Sequence, residues 1–264
     1  MLLSSQNQLQ QYVFLNEQKQ HIAKYKKLNL RSVFQPIFDK NNQTIGVEAL
    51  VRISNAEYQN VRPDHFFNSK DISLEDKINV ERLSRIIHIR NFSNSRYRDL
   101  NLFLNVLPSS GEFYALEDRR INLLSKRLKA LDLRSDKVVM EVVESHAHDE
   151  ICLQKAMKKL SDRGFKIAID DYGMEASNRK RVELLRPNII KIDRSLLLAY
   201  MDGHTEALLG GISLARQINA KIVIEGIETH KQYQTMVELD VDLYQGYYLA
   251  MPQPLEMLEL APAN

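Results

Sequence analysis

The order of its apolar runs constrains this chain more than any other feature. Eight short runs recur, at residues 33–38, 45–53, 102–106, 138–143, 165–169, 189–192, 221–224 and 247–249, most of them rich in β-branched or aromatic residues. Segments of helical periodicity lie between most of them. Ser73-Leu74-Glu75-Asp76 resembles a capping box and opens a helix expected to run to about Arg90. Residues 112–131 carry Phe113, Leu116, Ile121, Leu124, Leu128 and Leu131 at near-helical spacing, and residues 149–163 stop at Gly164, a favourable C-terminal cap. Residues 205–219 and 230–239 complete the alternation. Strand and helix alternating up to eight strands predict an α/β fold, a TIM-like (β/α)8 barrel. One joint departs from that rule. Only residues 39–44 separate the first two runs, with the turn-prone pair Asn41-Asn42 among them. A parallel crossover needs about a dozen residues, so the first two strands are expected as an antiparallel hairpin, leaving one antiparallel strand in the barrel. The alternative architecture is a doubly wound open sheet.

A chain of 264 residues, 44% hydrophobic and 27% charged, suits one large barrel or two small domains. Residues 1–30 are rich in Gln, Lys and Asn and lack Pro and Gly, so they are expected as an N-terminal helical arm before a barrel domain at 31–264. With 36 basic and 34 acidic residues the net charge is +2, which gives no footprint for long nucleic acid. Cys152 is the single cysteine, so neither a disulfide framework nor a thiolate metal cage is available, and a reduced, cytoplasmic setting is expected. The first residues lack a basic stretch followed by an apolar one, and no run approaches the ~20 apolar residues of a membrane span.

The chemistry lies in polar residues set into the apolar runs or just beyond them. Glu48, Asn105, Glu141, Asp170-Asp171, Lys191 and Glu225 stand there in turn, with Glu144 and Glu228 three residues beyond Glu141 and Glu225, and Gln245-Gly246-Tyr247 before the last expected strand. A carboxylate within an apolar strand is costly unless it is paired or bound to a cation. Many strands delivering polar groups at their C-terminal ends make a site, because active sites of barrels form at that face. Oxygen donors without Cys or His suit magnesium or manganese, and two such ions would offset the mutual repulsion of the acids.

In this order and spacing the residues resemble the EAL-domain family, over about 33–254. The name-giving triplet stands as Glu48-Ala49-Leu50, followed by Arg52. Around it come Gln35-Pro36-Ile37, Leu104-Asn105-Val106, Glu141-Val142-Val143-Glu144, Asp170-Asp171-Tyr172-Gly173, Lys191-Ile192-Asp193, Glu225-Gly226-Ile227-Glu228-Thr229 and Gln245-Gly246-Tyr247. The resemblance implies a metal-dependent phosphodiesterase that opens cyclic di-GMP to linear pGpG, using Mg2+ or Mn2+, two ions per site. It implies Glu48, Asn105, Glu141, Asp170 and Asp171 as metal ligands. Asp171 would also hold the attacking water, Glu225 would complete the metal site or act as base, and Lys191 would sit beside the scissile phosphate. Gln35, Leu50, Arg52 and Gln245 would meet substrate or its surroundings, and Glu144 and Glu228 would support the metal shell and the loop after Asp171. It also implies a domain that can work as a homodimer, answer to a regulatory protein partner and serve biofilm or motility control, without long nucleic acid or membrane.

The stretch Asp170-Asp171-Tyr172-Gly173-Met174-Glu175 departs from the family's Asp-Asp-Phe-Gly-Thr-Gly, and Leu107 stands where a small polar residue is common. The departure motivates the alternative, a catalytically weak or inactive domain that acts as a cyclic di-GMP receptor or protein-binding regulator. His146 and His148 have metal-pair spacing, but they are read as ordinary polar residues at a helix start. Cys152 is read as a small buried residue, and Arg179-Lys180-Arg181 as the start of a surface helix.

Overall fold

A computed structural model describes residues 2–3, 5–55, 57, 59–107, 118–143, 149–174 and 177–258. The chain divides into two compact units, one of Met1–Phe34, Ala49–Asp99 and Pro252–Asn264, the other of Gln35–Glu48 and Leu100–Met251.

In the first unit the expected helical arm is corrected. Among the described residues of 1–30 only α1 (Gln6–Gln10) is helical; β1 (Val13–Leu15), β2 (His21–Tyr25) and the start of β3 (Leu28–Asp39) form an antiparallel meander. The physical reason is burial at strand period. Val13, Ala23, Tyr25 and Leu30 turn one face into a core with Phe66, Val80, Leu83 and Ile87. Lys19 and Lys26 take the left-handed backbone of the reversals, positions where Gly or Asn is the usual signal. The partner helix α3 (Leu74–Ser93) starts where the sequence places it, with Ser73 Oγ accepting from Asp76 N at 3.1 Å. The unit also holds residues 49–54 of β4 (Thr44–Ser54), β5 (Asn60–Val61) and α2 (Pro63–Asn68), which has proline in its first turn.

The second unit carries the barrel. Its strands are residues 35–39 of β3, residues 44–48 of β4, β6 (Asn101–Val106), β7 (Val138–Val142), β8 (Lys166–Tyr172), β9 (Ile189–Ile192), β10 (Lys221–Ile224) and β11 (Leu243–Tyr244). Neighbours run β3-β11-β10-β9-β8-β7-β6-β4, and pairing of β3 with β4 closes the ring, which rules out the open sheet. β6 to β11 pair in parallel, whereas β3 is antiparallel to β11, with Tyr244 opposite Phe38. The reversed strand is the one that the short 39–44 joint requires. Asp39 N donates to Gln43 O at 3.0 Å, and Asn42 adopts φ 58° in that turn.

Described helices α4 (Asp118–Ala130), α5 (Glu150–Ser161), α6 (Arg179–Leu185), α7 (Arg194–Met201), α8 (Glu206–Gln217) and α9 (His230–Glu238) fall between the later strands. The first residues of the helix expected at 112–131 lie outside the described ones. One further expectation is corrected. The eighth strand is Leu243–Tyr244, so Gln245-Gly246-Tyr247 follows the last strand, and residues 247–249 form a turn in which Leu249 N and Ala250 N both donate to Gly246 O at 3.0 Å. Tyr244 is fully buried while Tyr247 is 55% exposed, so burial assigns the strand to the earlier, shorter run. Among the described residues no helix is long and apolar enough to cross a membrane.

Candidate active site

The polar residues of the barrel share one layer because strand side chains alternate. Ile37, Phe103, Val139, Ala168, Ile189, Val223 and Leu243 pack together inside the ring, one from each of seven strands. In β4 the matching place falls to Gly46, where a Cβ would come within 2.9 Å of the Phe103 ring, so that ring takes the space. Two residues further toward the same end of the barrel stand Gln35, Glu48, Asn105, Glu141, Asp170, Lys191, Glu225 and Gln245. A period of two carries each strand from its core residue to its polar one, so one apolar layer fixes the height of eight polar groups.

Lys191 is the centre of this layer. Its side chain is 1% exposed, and Nζ lies 2.6 Å from Asp170 Oδ1, 2.8 Å from Glu225 Oε1, 3.0 Å from Glu141 Oε1 and 3.3 Å from Glu48 Oε2. Glu48 also accepts from Gln245 Nε2 at 2.8 Å and from Asn105 Nδ2 at 3.2 Å. Gln35 Nε2 donates to Ala250 O at 3.3 Å.

One ammonium does not balance four carboxylates, three of them buried and Glu225 partly exposed, and the ionisation equilibria register the deficit. Burial pushes Glu141 and Glu225 well above the ordinary glutamate range and Asp170 above the aspartate range, against the opposing pull of Lys191. Burial acts the same way on Glu48, but Lys191 and the hydrogen bonds from Gln245 and Asn105 outweigh it and hold the group below its ordinary value. Burial would discharge Lys191, yet the four carboxylates raise it well above the usual lysine range.

Asp171 joins the layer through a break in the ladder. The register between β8 and β9 shifts between Ile169 and Tyr172, and Asp171 takes φ 48°, so two consecutive residues reach one side of the strand. Oxygens of Asp170, Asp171 and Glu225 then lie within 4.8 Å of one another. Glu141 Oε2 and Glu225 Oε2 are buried without a hydrogen-bond partner. Orphaned buried carboxylate oxygens and an all-oxygen donor set together fit one or more hard divalent cations.

A pH-dependent effect of metal follows from these shifts. Glu141, Asp170 and Glu225 have raised pKa values in the folded chain, so without metal the stability linked to them is complete below the ordinary carboxylate range. It is lost as pH rises through the folded values. Glu48 is ionised and Lys191 charged across the neutral window, so neither reverses the trend. Chelated protein is therefore expected to melt at lower temperature at about pH 8 than at about pH 5, and manganese should restore more stability at the higher pH. Melting curves with and without chelator check this, and a metal effect independent of pH would argue against these ligands.

The remaining expected site residues divide. Leu50 and Arg52 are partly buried on β4 within the first compact unit, where Arg52 Nη1 donates to Val51 O at 3.2 Å. Glu228 accepts from Arg194 Nη2 at 2.5 Å. Glu144, His146, His148 and Glu175 lie outside the described residues. Cys152 is half-buried at the start of α5, and Arg181 on α6 is buried, donating to Glu150 Oε1 at 2.5 Å and to Val143 O at 3.3 Å, so it is not part of a surface run. Sequence reasoning missed Arg194, Gly226 and Gly246, which pack the loops behind the carboxylates; the glycines directly after Glu225 and Gln245 were the available signal.

The profile of the EAL domain family matches residues 17–252. PdeD of Escherichia coli, named a probable cyclic di-GMP phosphodiesterase, is 29% identical over 232 residues, which take in 84% of this chain and 41% of PdeD. YkuI of Bacillus subtilis, an uncharacterized EAL-domain containing protein, is 32% identical over 231 residues, 83% of this chain and 54% of YkuI. The crystal structure of YkuI in complex with substrate c-di-GMP and calcium superposes with a TM-score of 0.74 at 28% identity, covering 87% of this chain and 57% of that one. The c-di-GMP complex of the MucR phosphodiesterase gives a TM-score of 0.70 at 25% identity, covering 85% of this chain and 92% of that one. The chain spans between 29% and 54% of the length of the first curated relatives it matches.

Proposed function

The chain belongs to the EAL domain family, and from that premise we propose that it is a metal-dependent phosphodiesterase that hydrolyses cyclic di-GMP to linear pGpG. The observation that carries the proposal is the single polar layer in which Lys191 meets four carboxylates while buried carboxylate oxygens stay unsatisfied. The c-di-GMP and calcium bound by YkuI support the ligand and the use of a divalent ion.

In this reading Glu48, Asn105, Glu141, Asp170 and Asp171 hold two Mg2+ or Mn2+ ions. Such ions supply Lewis acidity and a bound water of lowered pKa. The residues do the rest. Asp171 and Glu225 orient the attacking water, and Glu225 either takes its proton or completes the ion site. The water oxygen bonds to phosphorus as the bond to the 3′ oxygen breaks, the 3′ oxygen takes up a proton from solvent and leaves as the ribose hydroxyl, and the Lys191 ammonium offsets the negative charge that builds on the phosphoryl oxygens. Gln245 and Asn105 keep Glu48 oriented through their hydrogen bonds to it. Gln35, Leu50 and Arg52 contact the dinucleotide, and Glu144 and Glu228 support the loops. A cytoplasmic setting, a homodimer and a regulatory protein partner belong to the same proposal.

A second reading, a receptor or regulator with little turnover, rests on Met174. This residue is 39% exposed and accepts from Ser195 Oγ at 3.6 Å, in the loop directly after the paired aspartates. Chromatography of cyclic di-GMP incubated with protein and manganese separates the two. Conversion to pGpG is expected from the unaltered chain, with loss of about 10²-fold in Glu48→Ala and complete loss in chelator. No conversion by folded, metal-loaded protein that still binds the nucleotide would favour the receptor.

A further inference from the structure

Asp170, Asp171 and Glu225, whose oxygens cluster within 4.8 Å, sit on two separate stretches of chain, one ending β8 and one following β10. Both stretches rest on the same short segment, the end of β9 at Ile192, Asp193 and the first turn of α7. On the aspartate side, Asp193 N donates to Tyr172 O at 3.3 Å. Leu196 fills the place above Gly173, where a Cβ would lie 2.8 Å from Leu196 Cδ1, and Ser195 Oγ meets Met174 Sδ at 3.6 Å. On the glutamate side, Glu225 N donates to Ile192 O at 3.1 Å. The stem of Arg194 lies along Gly226, so closely that a Cβ there would come within 2.5 Å of Arg194 Cβ and Cγ, and Gly226 has φ +65°. Beyond the stem, Arg194 Nη2 donates to Glu228 Oε2 at 2.5 Å.

We propose that Arg194 is a positioning residue: its stem against Gly226 and its guanidinium on Glu228 fix the loop that presents Glu225. Its neighbours Ser195 and Leu196 hold the loop of Asp171. The first turn of α7 thereby sets the spacing of the carboxylates that take the second divalent ion. This inference rests on the reading of these carboxylates as a metal site. The ion pair alone would carry little, because both side chains are roughly half exposed and such pairs contribute little to stability. Packing of the stem on a glycine that has no room for a side chain is the stronger half.

The test is calorimetric titration of Mn2+ into the full chain and its variants, without nucleotide. The unaltered chain is expected to take two ions. Arg194→Ala, which removes stem and charge, is expected to weaken the second by about 10-fold and leave the first unchanged. Arg194→Met keeps most of the stem, and Glu228→Gln keeps all of it, so each should weaken the second ion less than Arg194→Ala does. If Arg194→Ala fails to fold, the other two variants carry the test, because either must still weaken the second ion selectively. Equal weakening of both ions, unchanged second-ion affinity, or a single ion in the unaltered chain would overturn the proposal. Turnover at limiting Mn2+ should fall in Arg194→Ala and recover at saturating Mn2+. A chain that binds two ions with this pattern but opens no cyclic di-GMP would sink the phosphodiesterase reading and leave the role of Arg194 standing.

Discussion

Replacing Lys191 by methionine is expected to abolish turnover, by about 10³-fold or more, and to destabilise the metal-free chain by about 3–5 kcal/mol. Methionine is close to lysine in length and fills the same buried space, so the change removes charge with little change in packing. What remains is Glu48, Glu141, Asp170 and Glu225 around a vanished cation that stood within 3.3 Å of each. Breaking a buried pair by deleting one partner leaves the other charge uncompensated, and here four partners lose the same cation. The sign of the pH effect follows. Carboxylates relieved of Lys191 hold their protons to higher pH, so the destabilisation is small where they are protonated and grows as pH rises. Urea unfolding at about pH 5 and about pH 8, with chelator present, reads that growth. Turnover at saturating manganese reads the catalytic loss separately, because added metal offsets the electrostatic damage but does not restore an ammonium beside the phosphate. A Lys191→Met variant that turns over like the unaltered chain would remove Lys191 from the mechanism.

Lys191 was legible in the sequence for the reason that makes it consequential. A lysine inside Ile189-Ile190-Lys191-Ile192 has no apolar account, and the same holds for Glu48, Glu141 and Asn105 in their strands. Alternation at period two then made one layer of them. Where this logic stopped, the cause was contact information that one chain position does not carry. Asp170-Asp171 reads as a pair, but strict alternation would send the two to opposite faces. Only the register shift against β9 and the left-handed backbone of Asp171 bring both inward. The N-terminal meander hides behind polar composition, its reversals made through the left-handed Lys19 and Lys26 rather than through glycine or proline. The last strand is two residues long and carries no periodicity, so the more apolar Tyr247-Tyr248-Leu249 reads as the strand in its place. In α3, Asn79, Glu81, Arg85, His88 and Asn91 are all buried, which blurs the polar face that a surface helix normally shows. Their partners are specific ones, Glu81 with Arg85, Ser32 Oγ for His88 at 2.8 Å and His21 N for Asn91 at 2.7 Å, and no periodic pattern encodes such pairings.

Glycines have no side chain for a hydrophobic pattern to register and, in this barrel, hold some of the tightest geometry. Gly246→Ala is expected to cost about 3 kcal/mol or more, lowering the melting temperature by about 6–12 °C. A Cβ at Gly246 would lie 2.1 Å from Ile227 O and 2.3 Å from Ile227 N, both backbone atoms that no rotamer change moves aside. The two segments are also tied together across this contact, with Ile227 N donating to Gln245 O at 3.1 Å and Tyr248 N to Ile227 O at 3.0 Å. Relieving the overlap means parting them, at about 1 kcal/mol for each hydrogen bond lost, and drawing Ile227 out of a site where it is fully buried. The same movement carries Gln245, whose Nε2 reaches Glu48 at 2.8 Å, so activity should fall with stability even though Gly246 has no side chain to offer the reaction. Gly210→Ala is the control for composition. Gly210 lies within α8, exposed, with nothing within 4 Å of the added carbon, so alanine there should stabilise the chain by about 0.5–1 kcal/mol through helix propensity. Thermal melts of the two variants are thus expected to move in opposite directions. A Gly246→Ala chain that melts with the unaltered protein would mean that the turn after β11 yields freely, and that Glu48 is oriented without the help of its position.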